Sequence, residues 1–421
     1  MRSIIDIIER FARITLREWG AMFRDPMAVI FFVVAIILYA VYYPLPYVNE
    51  LANKAPVGIV DYDRTAMSGQ LVRTAGSMQQ DTVVEVYDNE ADAQKALADE
   101  KIYGYLKIPA GMEAELRKGN NVKLGAYCHG AFLMLYGNVA TAFVTAATSV
   151  GATVEVKRIV ANGSAKSLHE AMAIRDPLPM LFYTMYNGAL GYGVYVVPAV
   201  LMLVLQQTCL MGIGAMGGPR KARKFKFFKD KQDSENEPLL MRYFGRSLAY
   251  LLHYIVCITL YKVVIYKMFG FPDRGDYFVF VVFAAAFFGA VINMGMWFAQ
   301  FFERRETGMQ LFLCVPILVL FVTGFSWPRE CTPLWLQILG DLIPSTFAVP
   351  AWLAVENMGA NLYEIRHYIL NLYGLSVFYM VLGLLMAKRY DLLQRFRESE
   401  LATNARARFH KGLERCRHLF R

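Results

Sequence analysis

MAVIFFVVAIILYAVYY, residues 27–43, carries no charged side chain from end to end. A helix crossing hydrocarbon must pair every backbone N–H and C=O within itself, and it needs roughly 20 apolar residues to do so. Pro44, Leu45 and Pro46 close the run, a charged leader precedes it, and no small-residue cleavage pattern stands nearby. The segment therefore reads as a retained span and not as a cleaved signal.

Five further stretches of the same character follow: Leu190 to Gly214, Ser247 to Phe269, Tyr277 to Phe301, Met309 to Phe325 and Tyr368 to Ala387. The whole chain agrees with them, since 56% of its 421 residues are hydrophobic and only 19% are charged, too apolar a balance for an ordinary soluble protein. The expected fold class is an α-helical polytopic membrane protein of about six transmembrane helices with an inserted extracytoplasmic α/β domain.

Orientation follows from the basic residues, because short cytoplasmic loops carry the excess of Lys and Arg. Arg2, Arg10, Arg13, Arg17 and Arg24 precede the first span, Arg220, Lys221, Arg223 and Lys224 follow the second, and Arg304 and Arg305 follow the fourth. A basic tail occupies 389–421, whereas the opposite short loops offer Arg274, Arg329 and Arg366. Both termini are expected in the cytoplasm, with 48–179 on the other side. The formal charge of +9 is thus explained by topology and membrane lipid, and no nucleic-acid partner is expected.

Between 48 and 179 the pattern changes to alternating strand and helix signals. Val57 to Val60, Val83 to Tyr87, Ile102 to Ile108 and Asn121 to Tyr127 read as strands; 64–78 and 90–100 read as helices, and 131–161 as one long helical stalk. The expected organisation is an amphipathic interfacial leader over 1–25, a first span over 26–47, this domain, and a five-helix region over 180–388. That region holds a cytoplasmic loop at 218–240 and an outer re-entrant segment at 326–360. The leader sets Ile5, Ile8, Phe11, Ile14 and Leu16 among charges, as in a helix lying on a membrane surface.

The motifs of the chain exclude several chemistries. No GxxxxGK[ST] phosphate loop occurs, so ATP chemistry has to come from another polypeptide. Gly212, Gly214 and Gly217 satisfy GxGxxG, but they end an apolar span instead of joining a strand to a helix, which suits close helix packing. Six scattered cysteines show no metal-ligand spacing, and Cys128 and Cys331 share an expected compartment without spacing that establishes a bridge. Gln206, Gln207, His253, Lys262 and Asn293 lie inside spans, where polar side chains either bond neighbouring helices or line a pathway. For Lys262, near the end of its span, snorkelling to the interface is a further reading.

The order of these features resembles the type-2 ABC transporter permeases, specifically the branch with a large extracytoplasmic domain after the first span. Glu18 with Arg24, Asp25 and Pro26 is similar to that family's entry to its first span, and Val57 to Asp61 to its opening outer strand. Arg305 with Glu306 resembles its turn after the fourth span. The run from Gly324 through Trp327, Pro328, Pro333, Trp335 and Pro344 to Gly359 resembles its outer re-entrant region. The loop after the second span departs from the family's charged pattern, as do Cys128 and His129 at the end of a strand.

The resemblance implies a bacterial inner-membrane exporter of a hydrophobic or amphipathic substrate, built from two permease copies or paralogues and two ABC ATPase subunits. ATP and Mg would sit on those ATPases, with no cofactor, metal or catalytic residue in this chain, and there is room for a periplasmic adaptor. It implies ATPase coupling through Glu18, Arg24, Arg220, Lys221, Arg223, Glu235 and Glu237, and an outer gate at Trp327, Pro328, Pro333, Trp335 and Pro344. A non-transport receptor or scaffold with an extracytoplasmic ligand-binding domain is the alternative reading. An enzyme is the weakest, because His129 beside Cys128 is a pair by sequence only.

Overall fold

The computed structural model describes residues 2–48, 55–77, 81–178, 180, 183–187, 191–222, 237–302 and 304–389. Helices α1 (Arg2–Arg24) and α2 (Pro26–Tyr47) open the chain. An alternating run follows: β1 (Ala55–Asp61), α3 (Ala66–Gly76), β2 (Asp81–Tyr87), α4 (Glu90–Ala98), β3 (Gly104–Ile108), α5 (Met112–Lys118), β4 (Gly125–Cys128), α6 (Leu133–Ala161) and α7 (Leu168–Arg175). Helices α8 (Tyr192–Ala222), α9 (Leu239–Phe269), α10 (Tyr277–Phe298), α11 (Arg305–Val322), α12 (Leu334–Asp341), α13 (Pro344–Met358) and α14 (Arg366–Arg389) complete it. The chain divides into two compact units, one of Met1–Val48 with Gly193–Arg421 and one of Asn49–Tyr192.

In the helical unit, local chemistry sets where the spans start. The Asp25 carboxylate caps α2 by accepting from the Met27 and Ala28 amides at 3.0 and 3.4 Å, with Pro26 at the first helical position, where it has no amide to lose. Asp276 caps α10 in the same way through the amides of Phe278 and Val279. Helix α10 is the buried centre: Phe283, Ala284, Phe287, Phe288, Val291 and Ile292 are all inaccessible. By contrast α2 and α14 present large apolar side chains outward, Ile37 at 59% and Leu370 at 67% exposure among them. Contiguous outward apolar faces of this kind are unfavourable against water and ordinary against lipid tails.

Among the described residues six helices are long and apolar enough to cross a membrane, and five coincide with the sequence expectation: α2, α8 (over Tyr192–Gly217), α9, α10 and α14. The sixth by this measure is Leu135–Ala161 of α6, a helix of the sheet-containing unit. There Val139, Phe143, Ala146 and Val150 pack on β1, β3 and α3, so the apolarity of α6 serves a layer of that domain. The expected stretch Met309 to Phe325 falls on α11, which has 18 residues and an internal proline, Pro316. At about 1.5 Å per residue it is roughly 27 Å long, slightly under a hydrocarbon core of about 30 Å. Beyond it, α12 and α13 form a pair bent by 81°.

The second unit is a four-stranded sheet in the order β2-β1-β3-β4. Strand β1 pairs in parallel with β2 and β3, while β4 runs antiparallel to β3. Helices α3 and α6 cover one face, burying Val57, Ile59, Leu71, Leu106 and Phe143. Helix α4 packs on the other face against Val60, Ile102 and Tyr105. Being covered on both sides, β1 reads as an unbroken apolar run and not as an alternation. Of the stretch expected as the last strand, Asn121 to Tyr127, only 125–127 joins the sheet, and β4 runs one residue further to Cys128.

Candidate functional site

The helical unit encloses a cavity of about 340 Å³. Leu203, Gln206, Gln207 and Leu210 of α8 form one wall, and Met294, Trp297 and Phe298 of α10 the next. Leu311, Phe312, Pro316 and Val319 of α11 face them. The bend between α12 and α13 supplies Leu342 and Ile343, and α14 supplies Phe378, Tyr379 and Leu382. Spacings of three and four residues put each helix's contributors on one face. Proline inside α11 removes one helical hydrogen bond and lets the wall bow at Pro316.

Three polar side chains meet this apolar lining. The Gln206 Oε1 accepts from the Ser345 amide at 3.0 Å, so α8 holds the start of α13. The Gln207 amide nitrogen donates to the Phe312 carbonyl of α11, a carbonyl near Pro316. The Tyr379 hydroxyl donates to the Leu342 carbonyl at 2.7 Å, at the α12–α13 bend. Each bond ties a wall helix to a backbone group left over at a bend or kink, where no intrahelical partner remains.

The other polar residues expected along a pathway cross-link helices away from the cavity. The His253 ring nitrogen donates to the Phe32 carbonyl at 2.8 Å, and Tyr261 donates to Ile36 at 3.0 Å. Both join α9 to α2, and Phe32 belongs to a π-helical turn, Ile30–Val34, where the regular ladder is loosened. Asn293 accepts from the Tyr243 hydroxyl at 2.8 Å and donates to the Ser376 hydroxyl at 2.9 Å, joining α10 to α9 and α14.

Lys262 does not snorkel. It is 1% exposed, and its Nζ lies 2.5 Å from both Asp273 Oδ1 and Glu356 Oε2, with Glu356 at 0% exposure. The rings of Tyr277 and Phe280 stand 5.6 Å from the ammonium. Glu356 and Asp273 were not singled out by sequence reasoning. The signal was a lone carboxylate within the apolar run Pro344–Met358, and a buried charge demands a partner.

At the other end of α9, Glu18 of α1 is buried with Arg246, their charged atoms 3.3 Å apart, and Tyr250 donates its hydroxyl to the same carboxylate. Gly245 makes this approach feasible, since a Cβ there would stand 2.8 Å from Ile14 Cγ2. Ile14, Thr15, Glu18 and Met22 are the buried face of α1, while Ile5, Ile8 and Leu16 remain exposed. The leader is thus clamped to α9 along one face.

The remaining expected residues are placed as follows. Arg24 is exposed at the end of α1, and Arg220 and Lys221 lie in the last turn of α8. Glu237 is half-buried just ahead of α9, whereas Arg223 and Glu235 lie outside the described residues. Arg305 and Glu306 begin α11. Trp327, Pro328, Pro333 and Trp335 are exposed around the short turn before α12, while Pro344 is buried at the first position of α13. Gly212 and Gly214 do serve close packing, for a Cβ at Gly212 would overlap the Phe32 ring and one at Gly214 would touch Phe312. Cys128 and Cys331 are both free thiols, and no metal-binding cluster occurs among the described residues.

A family model described as an ABC-2 family transporter protein matches residues 27–385. No curated protein matches the chain.

Proposed function

The chain belongs to the ABC-2 family of transporter proteins, and from that premise we propose that it is the permease of an ATP-driven exporter moving a hydrophobic or amphipathic substrate outward across a bacterial inner membrane. The observation that carries this reading is the clamp of Glu18 on Arg246 and Tyr250. It makes α1 and α9 move together, so a push on the leader from a soluble partner reaches the centre of the membrane unit.

Force of that kind has to come from another subunit, because no phosphate loop is present in the sequence. ABC ATPase subunits would bind ATP and Mg, and ATP would bias the permease only by favouring one of its conformations over the other. The active particle is two such permeases, identical or paralogous, on two ATPases. The leader, α8 with Arg220 and Lys221, and Glu237 ahead of α9 form the face that meets them. On this reading both termini are cytoplasmic, the sheet domain of 48–179 is extracytoplasmic and able to meet a periplasmic adaptor, and the α12–α13 bend is an outer gate flanked by Trp327 and Trp335.

Co-purification tests the reading. An ATPase should come down with the full-length chain, and its turnover in proteoliposomes should depend on the chain being present. Cargo movement by the chain alone, without nucleotide, would overturn it. Protease protection tests the orientation, with 48–179 and the basic tail expected on opposite sides.

A further inference from the structure

The cavity beside α8 is closed to charge. Its described lining holds no Asp, Glu, Lys, Arg or His, and its polar side chains are Gln206, Gln207 and Tyr379, with the indole N–H of Trp297. An ion entering it would lose its hydration with no opposite charge in return. A neutral hydrogen-bonding group meets a different surface. Gln206 has used its carbonyl oxygen on Ser345 and Gln207 has used its amide nitrogen on Phe312. Among the described residues the Gln206 amide donor and the Gln207 carbonyl acceptor keep their capacity, one residue apart on the same wall.

The cavity also has a mouth. Leu311, Leu342 and Phe378 line it while being 44, 43 and 47% exposed. They belong to α11, the α12–α13 bend and α14, so the opening lies among apolar side chains of the outward surface. Helix α14 is one of the least buried candidate spans. In a bilayer such an opening faces hydrocarbon, and a ligand reaching it comes from the lipid phase. The volume of about 340 Å³ stands at the small end of the roughly 300–1,000 Å³ usual for small-molecule sites.

We infer that this cavity is a binding station for an uncharged amphiphile dissolved in the membrane, which enters between α11 and α14 and sets a hydroxyl, carbonyl or amide head against Gln206 and Gln207. The inference rests on the permease reading only in taking this molecule as cargo.

Trp297 lines the cavity and serves as the reporter. Full-length chain in phospholipid nanodiscs is titrated with a bromine-tagged long-chain alcohol, and in parallel with a bromine-tagged alkyltrimethylammonium of equal chain length. The Trp297 signal is the fluorescence lost in Trp297→Phe. The alcohol is expected to quench this signal saturably, at a membrane concentration about tenfold or more below that of the cation. Saturation should vanish in both Leu203→Phe and Val319→Phe, which fill opposite walls. Quenching that rises in simple proportion to either probe's membrane concentration overturns the inference, as does equal saturable binding of the cation. No nucleotide is needed, so the two readings fail separately. Coupled ATP turnover without saturable binding rejects the cavity alone; saturable binding without coupling to any ATPase rejects the permease reading.

Discussion

The helical unit and the sheet domain both hold carboxylates paired with cations, and they do so under opposite conditions. Lys262 of α9, Asp273 of the loop that follows it and Glu356 of α13 meet, with Lys262 and Glu356 out of reach of solvent. In the domain, Glu113 pairs with Arg117 one turn along α5, and the arginine is largely exposed. Asp63 accepts from the Thr65 hydroxyl at 2.7 Å and from the Glu113 amide at 3.1 Å. In water, solvent stands ready to take the place of a lost partner. In lipid no solvent replaces a lost partner, so the same residue types become ties between helices whose removal leaves a stranded charge.

The largest effect is therefore expected from Lys262→Met, which strands two carboxylates beside each other and should cost about 3–5 kcal/mol of stability. Thermal unfolding of purified full-length protein measures it, and Lys262→Met with Glu356→Gln should recover part of the loss. An undiminished melting temperature in the single variant would show that the triad is solvated and that the contrast with the domain is false.

Glu18→Gln comes next. It keeps a hydrogen-bond acceptor for Tyr250 but removes the charge facing Arg246, at a cost of about 1.5–3 kcal/mol. Its distinguishing readout is coupling: chain-dependent ATP turnover should fall several-fold while binding in the α8 cavity stays unchanged. Turnover at the wild-type level would separate the clamp from force transmission.

Gly212→Ala should cost about 1–3 kcal/mol, because the new methyl falls where the Phe32 ring stands. Phe32→Leu in the same chain is expected to relieve most of that loss in the same melting assay.

The smallest effect lies in the domain and depends on pH. The Arg117 guanidinium holds the Glu113 carboxyl below its ordinary 4.5. Burial would raise Asp63, but the Thr65 hydroxyl and the Glu113, Gly111 and Met112 amides outweigh it and hold it below 3.8. Both groups are depressed on folding, so their contribution is present above those ordinary values and is lost as pH falls through the lower folded ones. Amide exchange across 61–68 and 111–117 in the intact protein should show protection declining below about pH 4.5. Glu113→Gln should flatten that decline, and an unchanged slope would remove Glu113 from the account.

Much of this was legible in the chain because the relevant signals are local. Apolar length marked α2, α8, α9, α10 and α14, since backbone pairing in hydrocarbon depends on one segment at a time. Alternating strand and helix signals marked the sheet domain for the same reason. Length and composition did not separate α6 from a span: apolar residues that cover a sheet look like apolar residues that meet lipid. The reading of 131–161 as the helical stalk of the domain came instead from its place after the run of strand and helix signals.

The site divides along the same line. Gln206, Gln207, His253, Lys262 and Asn293 stand out in sequence because polar groups in apolar runs must be satisfied. Sequence also resolves that the chain has no phosphate loop and belongs with membranes, since both are properties of contiguous residues. Which polar groups face one another is settled only by packing. The Lys262–Glu356 pair spans 94 positions and the Glu18–Tyr250 bond 232, separations over which no periodicity carries information. The tertiary structure alone put Gln206 and Gln207 at a cavity wall and sent Lys262 and His253 elsewhere, because a cavity is what several helices leave unfilled and no single helix encodes it.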